Sequence, residues 1–232
     1  MNFENGIIVG FDLETTGLSP STDLPVEVGF AFDFPNKEPL FVRYYVNPEI
    51  EISPQAQMIH KISHEIVIKH GISIKACIKR LQHIFGFVFA QNVPIAVMNA
   101  QFDLSMIDHL FLNNGLEPIA WKNVIDPLVI VRHCDPDYTG SKNLKSLCNR
   151  YGVEVNDFHS AKADALAVAK LARKLFQKFD ELKNADSESL FLLQKLWHNQ
   201  WAKEFSVSLA QRGRQFKKED FLWPTKVCKT SI

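Results

Sequence analysis

Ile7-Ile8-Val9-Gly10-Phe11-Asp12-Leu13-Glu14 is the stretch on which the fold turns. Its first five residues are small or apolar and mostly β-branched, which fits a central strand buried on both faces. The strand then runs into two acids. Residues two apart in a strand face the same side, so Asp12 and Glu14 leave its end together and bring two like charges to one point. Downstream, 26–34 and 40–46 read as two further strands, with Pro35-Asn36-Lys37-Glu38-Pro39 as turn chemistry between them. The three strands form an antiparallel meander. Ser53-Pro54 and Ser63 open two short helices, the second ended by Gly71, and Ser73 opens a longer amphipathic one. Next come a strand over 93–98, a helix over 102–114 ended by Gly115, and a short strand at Val124 and Ile125. Helices over 127–133 and 144–151 and a long one from 161 to about 182 complete the pattern. A meander followed by alternating strands and helices predicts an α/β fold with a mixed β-sheet flanked by α-helices.

The chain has 232 residues, 46% of them hydrophobic, which suffices for one packed domain and an extension. Disordered and fibrous classes are excluded by that composition. Formal net charge is zero, so contact with nucleic acid has to be local rather than driven by a global positive field. Cys77, Cys134, Cys148 and Cys228 lie far apart with no C-x-x-C pair, as expected for reduced thiols in a cytoplasmic protein. The start of the chain lacks a basic leader, and no apolar run approaches the roughly 18 residues of a membrane span. A soluble protein with no membrane partner is expected. The organisation predicted is one α/β domain over 1–185 and a C-terminal extension over 186–232. From Lys195 onward the extension carries eight Lys or Arg against three Asp or Glu, set among Trp197, Trp201 and Trp223. A terminal helix packed on the core by its tryptophans is the expected reading, with nucleic-acid contact as the alternative.

Two further acids stand on apolar helical stripes. Asp103 shares a face with Ile107 and Leu110, and Asp164 shares one with Val168, Leu171 and Leu175. An acid in the first turn favours the helix dipole, but that does not explain its turning toward the core. Four carboxylates delivered to one sheet edge would repel by about 4 kcal/mol per close pair at 4 Å and an effective dielectric of ~20. Such a cluster calls for cations, and all-oxygen ligation selects Mg²⁺ or Mn²⁺ over zinc. His159 precedes Asp164 by five residues, about 500° of helical rotation, so it belongs to the loop before the helix with Ser160 as the cap. From a loop it can swing over the acids and accept a proton at neutral pH.

These residues resemble the DEDDh exonucleases of the DnaQ-like family, the group that contains the proofreading subunit of bacterial DNA polymerase III. Phe11-Asp12-Leu13-Glu14-Thr15-Thr16-Gly17-Leu18 is similar to the family's first motif, Asn99-Ala100-Gln101-Phe102-Asp103 to its second, and His159-Ser160-Ala161-Lys162-Ala163-Asp164-Ala165 to its third. The similarity covers about residues 6–180. It departs at Lys61, Met98 and Pro127, where many relatives carry Gly, His and Thr. The resemblance implies a ribonuclease-H-like fold and hydrolysis of phosphodiesters at a 3′ end with two divalent cations, releasing nucleoside 5′-monophosphates. In that scheme Asp12, Glu14, Asp103 and Asp164 hold the cations and His159 is the general base. Leu13, Thr15, Thr16 and Phe102 would embrace the terminal nucleotide, Phe102 by stacking on any base, although a core role fits its ring equally. Single-stranded or frayed DNA is the expected substrate, with a polymerase or repair complex as a possible partner. An exoribonuclease and a silent 3′-end-binding module remain alternatives at this point.

Overall fold

The computed structural model describes residues 3, 5–155, 160–183 and 185–227, so His159 and Cys228 lie outside the described residues. Six strands form one mixed sheet: β1 (Ile8–Thr15), β2 (Pro25–Phe34), β3 (Lys37–Asn47), β4 (Ile72–Ser73), β5 (Ile95–Ala96) and β6 (Val124–Ile125). Their order is β4-β3-β2-β1-β5-β6. The β1–β2 and β2–β3 pairs are antiparallel, as the meander predicts, and β5 and β6 add in parallel. Nine α-helices are described: α1 (Pro54–His60), α2 (His64–His70), α3 (Ile74–Ala90), α4 (Ala100–Leu112), α5 (Pro127–Cys134), α6 (Leu144–Tyr151), α7 (Ala161–Lys178), α8 (Asp180–Lys183) and α9 (Ser187–Gln211). The hydroxyls of Ser53, Ser63, Ser73 and Ser160 cap α1, α2, α3 and α7 by accepting from backbone amides in the first turn.

Each departure from expectation has a local cause. The turn after β2 shrinks to Pro35 and Asn36, and Lys37 to Pro39 join β3. That end of β3 lies along the sheet edge, where a proline costs no ladder hydrogen bond. The strand over 93–98 is confined to Ile95 and Ala96, because Pro94 has no amide to donate and Asn99 turns the chain away at φ 55°. Helix α4 begins two residues earlier than its own sequence suggests. Its first amides are satisfied by Asp126, 26 residues downstream, whose carboxylate accepts from Asn99 and Ala100 at 3.1 and 2.9 Å. Helix α7 stops at Lys178, short of the expected end near 182, where Phe179 leaves helical geometry and packs its ring against Tyr151.

The register of β1 against β2 decides how the two faces are used. Gly10, Asp12 and Glu14 stand opposite Ala31, Gly29 and Glu27, so all six share one face. The other face carries Val9, Phe11, Leu13, Val28 and Phe30 into a core with Leu81 and Phe85 of α3 and Leu104 and Ile107 of α4. Phe11, Phe30 and Phe85 meet there with ring centroids 4.8–5.4 Å apart. Burying each such ring contributes about 1.5–3 kcal/mol. On the first face the small residues leave a trough, and α7 lies in it. A Cβ added to Gly10 would stand 1.7 Å from the carbonyl oxygen of Ala165, and one on Gly29 would stand 2.2 Å from that of Ala161. Neither site has room for a side chain, because the opposing atoms are backbone.

Replacing Gly10 or Gly29 by Val is therefore expected to lower stability by roughly 3 kcal/mol or more, through displacement of α7 rather than through backbone strain. Urea denaturation of the two variants checks this; stability within 1 kcal/mol of wild type at both positions would show that α7 does not need the trough.

Candidate active site

Strand β1 and helix α7 meet at their acidic ends. Asp12 and Glu14 project from the face that α7 covers, and Asp164 sits one turn into α7, directly over them. A carboxylate oxygen from each of the three lies within 4.8 Å of the others, and all three residues are half-buried. Asp103, on the first turn of α4, is only 5% exposed and stands outside that 4.8 Å group. Its carboxylate accepts from its own amide and from that of Leu13, which fastens α4 to the end of β1. The structure thus brings together three of the acids singled out in the sequence and sets the fourth beside them.

The electrostatics of these acids are unfavourable without a counterion. Burial, then the charges of Asp103, Asp164, Glu14 and Glu27, push the Asp12 carboxyl well above its ordinary range. Glu14 is pushed up to about 8 by burial and by Asp164, Glu27 and Asp103. Asp103 is raised to about 8 chiefly by burial, against the opposing pull of the two amides. Among the described residues no Lys or Arg forms an ion pair with Asp12 or Glu14. An all-oxygen donor set in which Asp12 and Glu14 have raised proton affinity suits a hard divalent ion such as Mg²⁺ or Mn²⁺.

Two buried acids beside the cluster play a different part. Glu27 is fully buried in β2, ion-paired with Arg43, and accepts from the Ala161 amide at 2.7 Å, which pins the start of α7. Asp126 is 1% exposed and accepts from Asn99, Ala100, Leu128 and the Trp223 indole. The sequence reading gave neither a role. Glu27 carried a usable signal, since a lone acid in the run Val26-Glu27-Val28-Gly29-Phe30 has to find a partner once buried.

The residues proposed for nucleotide contact lie around the same strand end. Leu13 is buried and Phe102 half-buried against the core. The Thr15 hydroxyl donates to the Gly17 carbonyl at 2.7 Å; that of Thr16 donates to Asp23 at 2.8 Å and accepts from the Leu24 amide at 3.0 Å. These bonds shape the loop that carries Leu18 into solvent. His60 braces that loop from below. Its Nδ1 accepts from the Ile62 amide, which leaves the proton on Nε2, 3.3 Å from the Thr15 carbonyl. In the C-terminal stretch Trp223 is buried and Trp201 lies under Arg132 at 3.5 Å, whereas Arg212, Arg214, Lys217 and Lys218 are exposed.

A mixed sheet of this order, with acids from a strand and two helices gathered at the end of its first strand, is the ribonuclease-H-like architecture. Comparison with known proteins narrows the class. The exonuclease family RNase_T matches residues 9–172, and the chain belongs to that family. DNA polymerase III PolC-type of Ureaplasma parvum is 32% identical over 171 residues, which are 72% of this chain and 11% of that protein. DNA polymerase III subunit epsilon of Buchnera aphidicola is 31% identical over 175 residues, 69% of this chain and 66% of that protein. The chain therefore spans less than two thirds of either relative. The structure of E. coli exonuclease I in complex with a dA16 oligonucleotide aligns with a TM-score of 0.64 over 87% of this chain and 45% of that one; at 22% identity the likeness is one of fold. Among the described residues no helix is long and apolar enough to cross a membrane.

The raised carboxyls fix how stability responds to pH without metal. A carboxyl whose folded-state pKa exceeds its unfolded value near 4 binds its proton more tightly when folded, so its contribution is full below about pH 4 and is lost as pH rises toward about 8, where Glu14 and Asp103 titrate. In chelator the melting temperature is expected to fall from about pH 5 to about pH 9, and Asp12→Asn should flatten that fall. A melting temperature that climbs over this range in the wild-type chain contradicts the assignment.

Proposed function

We propose that the chain is a DEDDh 3′-to-5′ exonuclease that hydrolyses phosphodiesters at the 3′ end of single-stranded or frayed DNA and releases nucleoside 5′-monophosphates. The observation that carries this reading is the convergence of Asp12, Glu14 and Asp164 within 4.8 Å in a chain of the exonuclease family. Asp12, Glu14 and Asp164 would hold two divalent cations, Mg²⁺ or Mn²⁺, with Asp103 supporting the second through water. Bound there, such ions supply Lewis-acid stabilisation to the phosphodiester and its departing 3′-oxygen. The chain's own residues do the rest. His159, which precedes α7 in the sequence, takes a proton from the attacking water at an imidazole nitrogen. Phe102 and the backbone from Leu13 to Thr16 hold the terminal nucleotide, whose ring can stack on Phe102 whatever the base. DNA is favoured over RNA because the similar proteins are DNA polymerase III chains and the similar fold is described with a DNA oligonucleotide. The same relatives support a cytoplasmic setting and a replication or repair partner.

Asp12→Ala and Asp164→Ala should each lower Mg²⁺-dependent hydrolysis by a factor of about 10³ or more, with metal-free stability kept or raised as a repelling acid is lost. Wild-type turnover in either variant would remove the basis of the metal assignment.

Polarity is read separately. A 5′-labelled DNA oligonucleotide should shorten stepwise from its 3′ end and faster than the matched RNA, whereas internal fragments at early times would indicate an endonuclease.

A further inference from the structure

Helix α4 supplies both Phe102 and Asp103, yet its start has no cap of its own: Asn99 makes no side-chain capping bond and sits at φ 55°. Asp126 satisfies its first amides, and the remaining ties come from the far end of the chain, beyond the stretch that matches the exonuclease family. The Gln101 amide donates to the backbone carbonyls of Asp220 and Leu222 at 3.1 and 2.6 Å. Ser105 accepts from the Lys226 amide at 2.7 Å. The Trp223 indole, 4% exposed, donates to Asp126 Oδ2 at 3.2 Å, the same oxygen that accepts from Ala100. Gln194 of α9 closes the arrangement by accepting from the Asp126 amide at 2.7 Å and donating to the Val124 carbonyl at 2.8 Å.

We propose that residues 220–226 form a strap whose contacts with Gln101, Ser105 and Asp126 set the first turn of α4, and so act as positioning residues for Phe102 and Asp103. The proposal rests on the reading of the acid site given above. Three of the four ties end on Gln101 and Ser105, one turn apart on the same side of α4, and the fourth ends on Asp126, which accepts from Ala100 at the start of that helix; none ends on Asp12, Glu14, Asp103 or Asp164. Asp103 meets β1 through the backbone amide of Leu13, and a hydrogen bond of that kind tolerates little displacement of the helix that carries the carboxylate. A cation site built partly from such a side chain loses affinity when its supporting shell loosens. The strap gives the C-terminal stretch a role in the site that needs neither its exposed cations nor its solvent-facing apolar residues.

Two variants of the full chain test this. Trp223→Phe keeps an aromatic ring in the core while removing the indole donor and part of the ring volume, and Gln101→Glu replaces a donor to two carbonyls with an acceptor. Both should speed amide hydrogen exchange in the first turn of α4, measured without metal or substrate. Both should also weaken Mn²⁺ binding in calorimetry by at least about threefold and raise KM for a single-stranded DNA 3′ end. A merely structural contact would lower the melting temperature and leave Mn²⁺ affinity and KM unchanged. Unchanged exchange, or faster exchange with wild-type Mn²⁺ affinity and KM, overturns the proposal. A wild-type chain that binds no Mn²⁺ overturns the acid-site reading and the positioning role with it, while the exchange rates still report whether the strap holds the helix.

Discussion

Everything at the acidic end of the sheet depends on how closely α7 approaches β1 and β2. A helix normally rides on a sheet at the distance set by the side chains between them. Here Gly10, Ala31 and Gly29 remove those side chains, and the backbone of Ala161 and Ala165 rests directly on the strands. That approach lets an aspartate, with a single methylene, carry its carboxylate from α7 to Asp12 and Glu14. Alanines on the helix face serve the same end: Ala161, Ala165 and Ala169 are fully buried. The opposite face of β1 is filled by phenylalanines, so the sheet is anchored on its aromatic side and left shallow on its acidic one.

The acids around the site divide into two kinds by the company they keep. Glu27 and Asp126 are buried and saturated, one by Arg43 and the Ala161 amide, the other by three backbone amides and an indole. Both pin the start of a helix that carries a site residue, α7 in one case and α4 in the other. Asp12 and Glu14 are held next to like charges with no side-chain cation paired to them among the described residues. The two kinds differ in what burial costs them: the first are compensated by fixed donors, and the second keep proton affinities raised by burial and like charge together.

Much of this was legible in the residues. The apolar run ahead of Asp12, the two helical stripes interrupted by Asp103 and Asp164, and Ser160 as a cap all follow from local pattern and hold in the structure. What the sequence hid were contacts between distant residues. The start of α4 depends on a carboxylate 26 positions away, and the chain's far end returns to the same helix. Neither leaves a periodic trace. Composition also could not separate the tryptophans from the cations of the last forty or so residues, which the fold sends to opposite sides: Trp223 inward, Arg212 and Arg214 to solvent. Phe179, which ends α7, lies in a window whose helical pattern continues through it.

Helix dipoles bear on the same balance of charge, and magnitude decides how far. Asp103 and Asp164 each occupy the first turn of a helix, where the positive end of the dipole favours an anion by about 0.3–1 kcal/mol, and by about 2 at most. One close pair of carboxylates in a partly dry site repels by about 4 kcal/mol, and Asp12 alone faces more than one such neighbour. Two dipoles therefore cannot neutralise the cluster. The amides of Leu13 and Asp103 lower the proton affinity of Asp103, yet burial still leaves it near 8. The remaining repulsion has two outlets, protonation or a divalent cation, and at neutral pH they compete for the same oxygens. A site so arranged is weakest when it is both deprotonated and metal-free. Relief of that repulsion is part of the free energy of cation binding, so a bound cation stabilises the folded chain most where the metal-free chain is weakest.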